Sequence, residues 1–404
     1  MGKLAESRVE TEKLLFSGIT GNVLILGMVS FLTDVSSEMI YPLLPLFLTT
    51  VLGAGPAFLG VIEGVAESTA SLLKLFSGIA SDRVSDRQKL VLFGYTVSAC
   101  ARPLIALAAT PAFVLFVRFF DRVGKGIRTS PRDALIADSV DSSLRGKAFG
   151  FHRSMDHAGA IVGPLIATLL LTFFIKDIRT IFWLAAIPGL LAVLLIILRV
   201  RDVSRKRGEN GAFMRMVPRG KLRAYLIILF LFTLGNSSDA FLLLKAGQLG
   251  VTPARIPLLW MFFHLVKMFS SMPFGALSDR IGRRSIIVSG WCVYALAYAG
   301  FSLAATELHV WLLFAFYGLF YGLTEGVEKA LLVDIADPGE RGGAFGWYNF
   351  AIGAGALPAS LIFGIIWQKA GSQAAFAFGA FLAILAAILL AFLINTKENP
   401  GKRR

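Results

Sequence analysis

The sequence predicts an all-α polytopic membrane protein made of two six-helix bundles related by an internal repeat. Three observations predict it. Of 404 residues, 56% are hydrophobic and 16% are charged, where a soluble chain would carry roughly 25% charge. Apolar runs long enough to cross a bilayer, about 20 residues each, recur along the whole length. A charged segment also repeats: Gly275 to Arg284 reads Gly-Ala-Leu-Ser-Asp-Arg-Ile-Gly-Arg-Arg, and Gly78 to Arg87 reads Gly-Ile-Ala-Ser-Asp-Arg-Val-Ser-Asp-Arg. Each copy lies between apolar runs.

Twelve spans are expected in order, at 17–48, 57–81, 89–109, 112–136, 146–174, 179–199, 222–247, 255–278, 285–305, 309–336, 342–368 and 373–395. The first is read as a retained helix, because no small-residue cleavage site follows it and another span does. The connections are short and polar except 200–221, which is long, basic and without an apolar face. The chain thus divides into an N-terminal half (1–199), a basic linker (200–221) and a C-terminal half (222–404). Cys100 and Cys292 both lie inside apolar runs, so neither a disulfide framework nor a metal site is expected.

The formal charge of +14 would point to nucleic acid in a soluble protein. Here it is explained by Lys and Arg held on the cytoplasmic side. The linker region, the loops at 82–89 and 279–284 and the C-terminal tail are basic, whereas the loops near 49–56, 110–111 and 306–308 carry no Lys or Arg. Both termini and the linker are therefore expected in the cytoplasm, with the protein in the plasma or inner membrane.

The repeat extends beyond the charged segment. Ala134 to Asp138 matches Ala330 to Asp334, Arg145 to Gly150 matches Arg341 to Gly346, and Ser36-Ser-Glu38 matches Ser237-Ser-Asp239. Parallel repeats of this kind suit a transporter whose site lies between the halves. With these residues in hand, the whole chain resembles the major facilitator superfamily. Gly275-x-x-x-Asp279-Arg280-x-Gly282-Arg283-Arg284 fits that family's signature for loop 2–3, here at loop 8–9. The first copy has Ser85 for the second Gly and Asp86 for the first Arg of the closing pair. The resemblance implies the major facilitator fold, and it implies that spans 3, 6, 9 and 12 face lipid.

Charge inside a span is costly unless paired or wet, so each such residue is a functional candidate. Asp34 and Glu38 share a face of span 1. Glu63, Glu67 and Lys74 form one stripe of span 2, and Arg118, Asp121, Arg122 and Lys125 one stripe of span 4. Arg153, Asp156 and His157 lie together on span 5. The C-terminal half is sparser, with Asp239 on span 7 and His264 and Lys267 on span 8. Substrate binding and proton coupling are expected from Asp34, Glu38, Glu67, Arg118, Asp121, Arg122, Arg153, Asp156, His157, Asp239 and Lys267. Bland readings stand beside these. Arg118 is either a coupling residue or an ion-pair partner of Asp34 or Glu38. His157 is a proton relay or a packing histidine, His264 a packing histidine, and Lys74 a counter-charge to Glu67.

A cytoplasmic gate is expected from Asp82, Arg83, Arg87, Asp279, Arg280, Arg283 and Arg284 of the two loops. Arg128 and Arg132 would pair with Glu325 and Glu328 across the entrance when the protein faces outward. On span 5, Gly150, Gly159, Gly163 and Pro164 are spaced as in the antiporter motif of exporters in the superfamily, with Ala167 and Thr168 where that motif often ends in Gly-Gly.

The leading expectation is secondary active export of a small organic compound against protons. The alternative is uptake or exchange of an organic anion, a carboxylate or phosphate ester, held by basic residues. No cofactor is expected, since the proton gradient supplies the energy. The expected partners are the substrate, protons and lipid, with no nucleic acid, and the protein is expected to be a monomer. No HExxH, nucleophile elbow or P-loop occurs, so an enzyme is not expected.

Overall fold

The computed structural model describes residues 20–83, 86–140, 144–202, 217–336 and 341–394. The linker positions 203–216 and both chain ends lie outside the described residues, as do the loop positions 84–85, including Ser85.

Twelve helical spans, numbered here α1 to α12 in chain order, appear where the sequence places them. They are α1 (Gly21–Val51), α2 (Pro56–Arg83), α3 (Arg87–Leu107), α4 (Pro111–Asp138), α5 (Arg145–Phe173), α6 (Ile178–Arg199), α7 (Gly220–Gln248), α8 (Ile256–Ile281), α9 (Arg283–Leu303) and α10 (Glu307–Ile335). The last two share the helix Arg341–Leu393, which turns at Gly371 (φ 88°) into α11 (341–370) and α12 (372–393). Most spans pass the length and hydropathy expected of a bilayer crossing. The three that do not, α2, α4 and α8, are equally long but more polar. Of their charges, Glu63, Arg118, Asp121 and Arg128 are buried in the protein.

Local chemistry sets the ends. Thr20, Thr110 and Thr306 cap α1, α4 and α10, each side-chain oxygen accepting a backbone N–H of the first turn. Asp86 caps α3 in the same way. One residue, Gly282, joins α8 to α9 at φ 95°, a conformation that costs a side-chain-bearing residue energy. Two spans are broken near mid-length. In α1, Pro42 and Pro45 lack the N–H a regular ladder needs, and the path passes through 3₁₀ and π turns over Tyr41–Val51. In α7 the helix stops at Gly235 and restarts at Ala240. The breaks face one another: the hydroxyls of Tyr41 and Ser238 are 3.5 Å apart.

Spans α3, α6, α9 and α12 carry exposed apolar side chains, among them Phe93, Leu107, Leu190, Leu194, Leu296, Phe381 and Phe392.

One buried cluster runs from the first half, with residues of all six of its spans, through the whole second half. The part of the first half nearest the basic loops packs as a separate cluster around Val23, Val91, Tyr95, Leu135 and Ile196. The halves are therefore joined at the end away from the basic loops and part towards them. At the joined end α2 lies directly on α11. A Cβ on Gly60 would sit 2.2 Å from the Ser360 carbonyl oxygen, and one on Gly64 2.9 Å from the Leu357 backbone. Ser68 goes further. Its hydroxyl donates to the Gly353 carbonyl (2.6 Å) and accepts from the Leu357 N–H (3.1 Å). A regular helix would join those two α11 groups to each other, and Pro358 follows directly.

Gly60→Ala is expected to destabilise the protein by about 1–3 kcal/mol through this overpacking, read as a lower unfolding temperature in detergent. An unchanged midpoint would mean that the α2–α11 seam is looser than described.

Candidate functional site

The centre of the first half is a closed chain of charges. Arg118 of α4 donates to Glu63 of α2 (2.8 Å) and approaches Asp121 (3.7 Å). Asp121 accepts from Arg102 of α3 (2.9 Å), which also holds the Thr33 carbonyl of α1 (2.9 Å). All four side chains are buried. Glu63 then crosses to the second half, accepting from Ser238 of α7 (3.2 Å). The partner of Arg118 is thus Glu63, not Asp34 or Glu38 as expected. Glu63 sits on the same stripe as Glu67 but one turn nearer the joined end.

The α5 glycines explain how Asp34 and Glu38 are placed. A Cβ on Gly159 would lie 2.6 Å from the Phe31 carbonyl and 2.8 Å from the Asp34 Cβ. One on Gly163 would lie 2.7 Å from the Val35 carbonyl and 3.1 Å from the Glu38 Cβ. Small residues let α5 press against the back of the α1 carboxylates; Pro164 lies within the helix and Gly150 faces open space. Glu38 accepts from the Trp260 indole of α8 (2.7 Å), across the halves. The Asp34 carboxylate makes no hydrogen bond or ion pair among the described residues, while its backbone carbonyl accepts from Ser37 (3.2 Å); the charges acting on the carboxylate are those of Asp156, Glu38, Lys125 and Arg128. Asp156 accepts from Ser30 in a short hydrogen bond and lies 3.7 Å from both His152 and Arg153.

Two further groups come from the second half. Asp239, at the break in α7, accepts from Tyr317 (2.6 Å) and Tyr321 (3.0 Å) of α10. Glu325 of α10 binds Lys267 of α8 (2.9 Å) and, across the halves, Arg153 of α5. Among the described residues no polar contact between the halves lies nearer the basic end than Arg153–Glu325. Beyond it Gly326 and Gly150 face open space.

Glu67 is exposed although it stands mid-span, so it lines the opening between the halves. Among the described residues its carboxylate accepts one hydrogen bond, a long one from Ser71 (3.4 Å). Lys74, Arg122 and Lys125 are the cations around it, and none of the three makes an ion pair or side-chain hydrogen bond among the described residues.

The arrangement is two symmetric six-helix halves with a polar, two-signed centre that opens at one end. The sequence profile described as Major Facilitator Superfamily matches residues 26–244 and 224–404. The chain belongs to the major facilitator superfamily. It is 34% identical over 400 residues to an uncharacterized MFS-type transporter of Methanocaldococcus jannaschii, covering 97% of this chain and 99% of that one. It is 22% identical over 327 residues to the multidrug resistance protein MdtH of Yersinia enterocolitica, covering 78% and 79%. The crystal structure of the nucleoside transporter NupG superposes with a TM-score of 0.77 at 14% identity, over 94% of this chain and 100% of that one. This is a multi-pass membrane transporter of the major facilitator type.

The remaining expected gate residues of this major facilitator protein are placed as follows. Arg87, at the start of α3, binds Asp138 at the end of α4 through a short contact. Arg283, at the start of α9, binds Asp334 at the end of α10 (2.7 Å) and the Ala330 carbonyl. The two latches are related by the repeat. It is Arg87, not Asp86, that stands where Arg283 stands, so the first copy keeps the arginine one position along. Asp279 is exposed and lies 3.8 Å from Arg283, Arg280 is exposed, and Arg284 donates to the Ile394 carbonyl (3.2 Å). Asp82 and Arg83 end α2, and their side chains lie outside the described ones.

The structure is open at the basic end, the state in which pairs that close the entrance would be released, and each of these groups is held inside its own half. Arg128 donates to Ser98 (2.6 Å) and lies over the Tyr95 ring, and Arg132 turns to Asp133 (2.8 Å). Glu328 is buried and accepts from Trp291 (3.0 Å) and Tyr348 (2.9 Å) inside its own half. Only Glu325 reaches across, to Arg153. No hydrogen bond of His157 is described, and both ring nitrogens of His264 are buried without a partner, against Trp260 and Phe263.

Sequence reasoning missed Trp260, Tyr317 and Tyr321, for which an aromatic-rich span gave no signal. It underused Arg102, a lone charge in an apolar span and therefore a detectable one.

Glu63→Gln strands the Arg118 charge and is expected to cost about 3–5 kcal/mol, whereas Glu63→Leu with Arg118→Met should cost much less. Thermal unfolding of the three proteins checks this; equal losses would show that the pair is not the unit. Charge exchange at Arg153 and Glu325 should restore transport lost in either single reversal, while exchange at Arg132 and Glu328 should not. Transport assays on the two sets decide between them.

Proposed function

We propose that this chain is a proton-coupled secondary transporter of a small organic compound, working by rocking of its two halves, and that it exports that compound. The observation that carries the coupling is Asp34: a half-buried carboxylate on α1 with no hydrogen bond or ion pair, beside the path between the halves. A carboxylate in that setting is able to change protonation as water access alternates. Asp34 is the proton site of this reading, and the substrate binds between α1, α2, α4, α7 and α8. The basic end faces the cytoplasm, in keeping with the placement of Lys and Arg. The opening then faces inward. Export is supported by the Gly-x8-Gly-x3-Gly-Pro spacing of α5 and by the likeness to a multidrug resistance protein.

A second reading, movement of an organic anion, is favoured by Lys74, Arg122 and Lys125, which have no carboxylate at bonding distance. The two readings differ in the sign of coupling. An exported compound exchanges for protons, while an anion held by these cations moves with one.

In proteoliposomes loaded with a pH-sensitive dye, Asp34→Asn is expected to lower substrate-driven proton flux about a hundredfold, in line with the loss of a positioned proton-transfer group. Substrate counterflow should persist. Proton flux equal to wild type in Asp34→Asn would remove this residue from the coupling.

A further inference from the structure

The charges of α2 and α4 are laid out in successive turns of two parallel, tightly registered helices. Glu63 pairs with Arg118 at 2.8 Å. Further along, Gly126 is close enough to α2 that a Cβ would sit 2.4 Å from the Leu73 Cβ. Ser77 donates to the Gly126 carbonyl (2.8 Å), and Ser130 donates to the Lys74 carbonyl (2.7 Å). This register puts Glu67 and Arg122 one turn beyond the closed pair, with Lys125 and Lys74 next in line.

The second turn repeats the chemistry of the first without closing it. Glu67 and Arg122 form no ion pair among the described residues, and the Arg122 Nε is buried without a partner. The neighbouring arginines inside α3, α4 and α5 do have partners: Arg102 with Asp121, Arg118 with Glu63, Arg128 with Ser98, Arg153 with Glu325. Three cations on adjacent turns, with one exposed carboxylate among them, leave positive charge uncompensated at the cavity wall.

We propose that Lys74, Arg122 and Lys125 form a subsite for an anionic group of the substrate, a carboxylate or a phosphate, and that Glu67 is the internal counter-ion this group displaces. The proposal rests on the transporter reading but not on the direction of transport. Arg122 supplies a planar fork suited to two oxygens, and the lysines supply point charges. Glu67 stands in their field until the anion arrives, so it competes with the anion when ionised and stops competing when protonated. The charged groups around Glu67 are Lys74 on its own helix, Arg122 and Lys125 of α4, and Asp239 of α7. Packed along α2, α11 contributes Gly353 and Leu357 and no charge there. Asp34 reaches Lys125 from α1. Protonating Glu67 thus strengthens the site for an anion.

The test uses the purified full-length protein in detergent, with benzoate and inorganic phosphate as probes and choline as the cation control, read by ligand-dependent thermal shift. At pH 7.5 benzoate or phosphate should stabilise the wild type and choline should not; which anion is preferred separates carboxylate from phosphate recognition. Arg122→Gln and Lys125→Gln should each weaken anion binding about tenfold, the usual cost of one charge-assisted hydrogen bond. Glu67→Gln should tighten it. Unfolding without ligand confirms that each variant is folded. Equal shifts with choline, unchanged binding in Arg122→Gln and Lys125→Gln, or weaker binding in Glu67→Gln would overturn the subsite. None of these results bears on Asp34, so the proton-flux assay and the anion assay fail independently.

Discussion

Charge placed in the hydrocarbon layer has to be neutralised where it stands, and this requirement organises the molecule. The Arg102–Asp121–Arg118–Glu63 chain meets it with two cations and two anions, all buried and joined through salt bridges. Such a chain contributes little net stability, because desolvation offsets most of the attraction. What it fixes is geometry. It ties α2, α3 and α4 together, holds α1 through the Thr33 carbonyl, and sets the register in which Glu67, Arg122, Lys74 and Lys125 follow. The open charges of the centre are placed by the closed ones beside them.

The distribution of contacts between the halves gives the second organising fact. The joined end is held by backbone approach at glycines, by Glu38–Trp260 and by Glu63–Ser238. Towards the basic end the polar contact seen between the halves is Arg153–Glu325. The carboxylates that reach across therefore come from both halves. Within the second half, Lys267 shares Glu325 with Arg153, so the bridge keeps a local partner when the halves separate. With the basic end open, Glu328 and Arg128 are held by partners inside their own halves.

The fold was legible in the sequence for a simple physical reason. A bilayer admits few architectures, so length of apolar run and a half-length repeat leave little choice. Spans α2, α4 and α8 were legible too, although their hydropathy is weaker, because their charges fall on stripes. The site was legible only as a set of stripes. That Arg118 would take Glu63 and leave Glu67 open depends on helix register, which comes from Gly126 against Leu73 and from Ser77 and Ser130, none of which stands out in the sequence. The latch of the first half was visible as a degraded motif, but its true arginine, Arg87, became clear only through Asp138. The aromatic ligands of Asp239 and Glu38 gave no periodic signal at all.

The hydroxyl of Ser68 deserves a last consequence. Any machine that slides one helix past another in oil must avoid stranding a backbone group midway. By bridging Gly353 and Leu357, Ser68 keeps both bonded while α2 is seated against α11. The two groups lie just ahead of Pro358, which brings no N–H of its own to the helix, so a hydroxyl of the opposite half serves the polar backbone at the turn where the ladder thins.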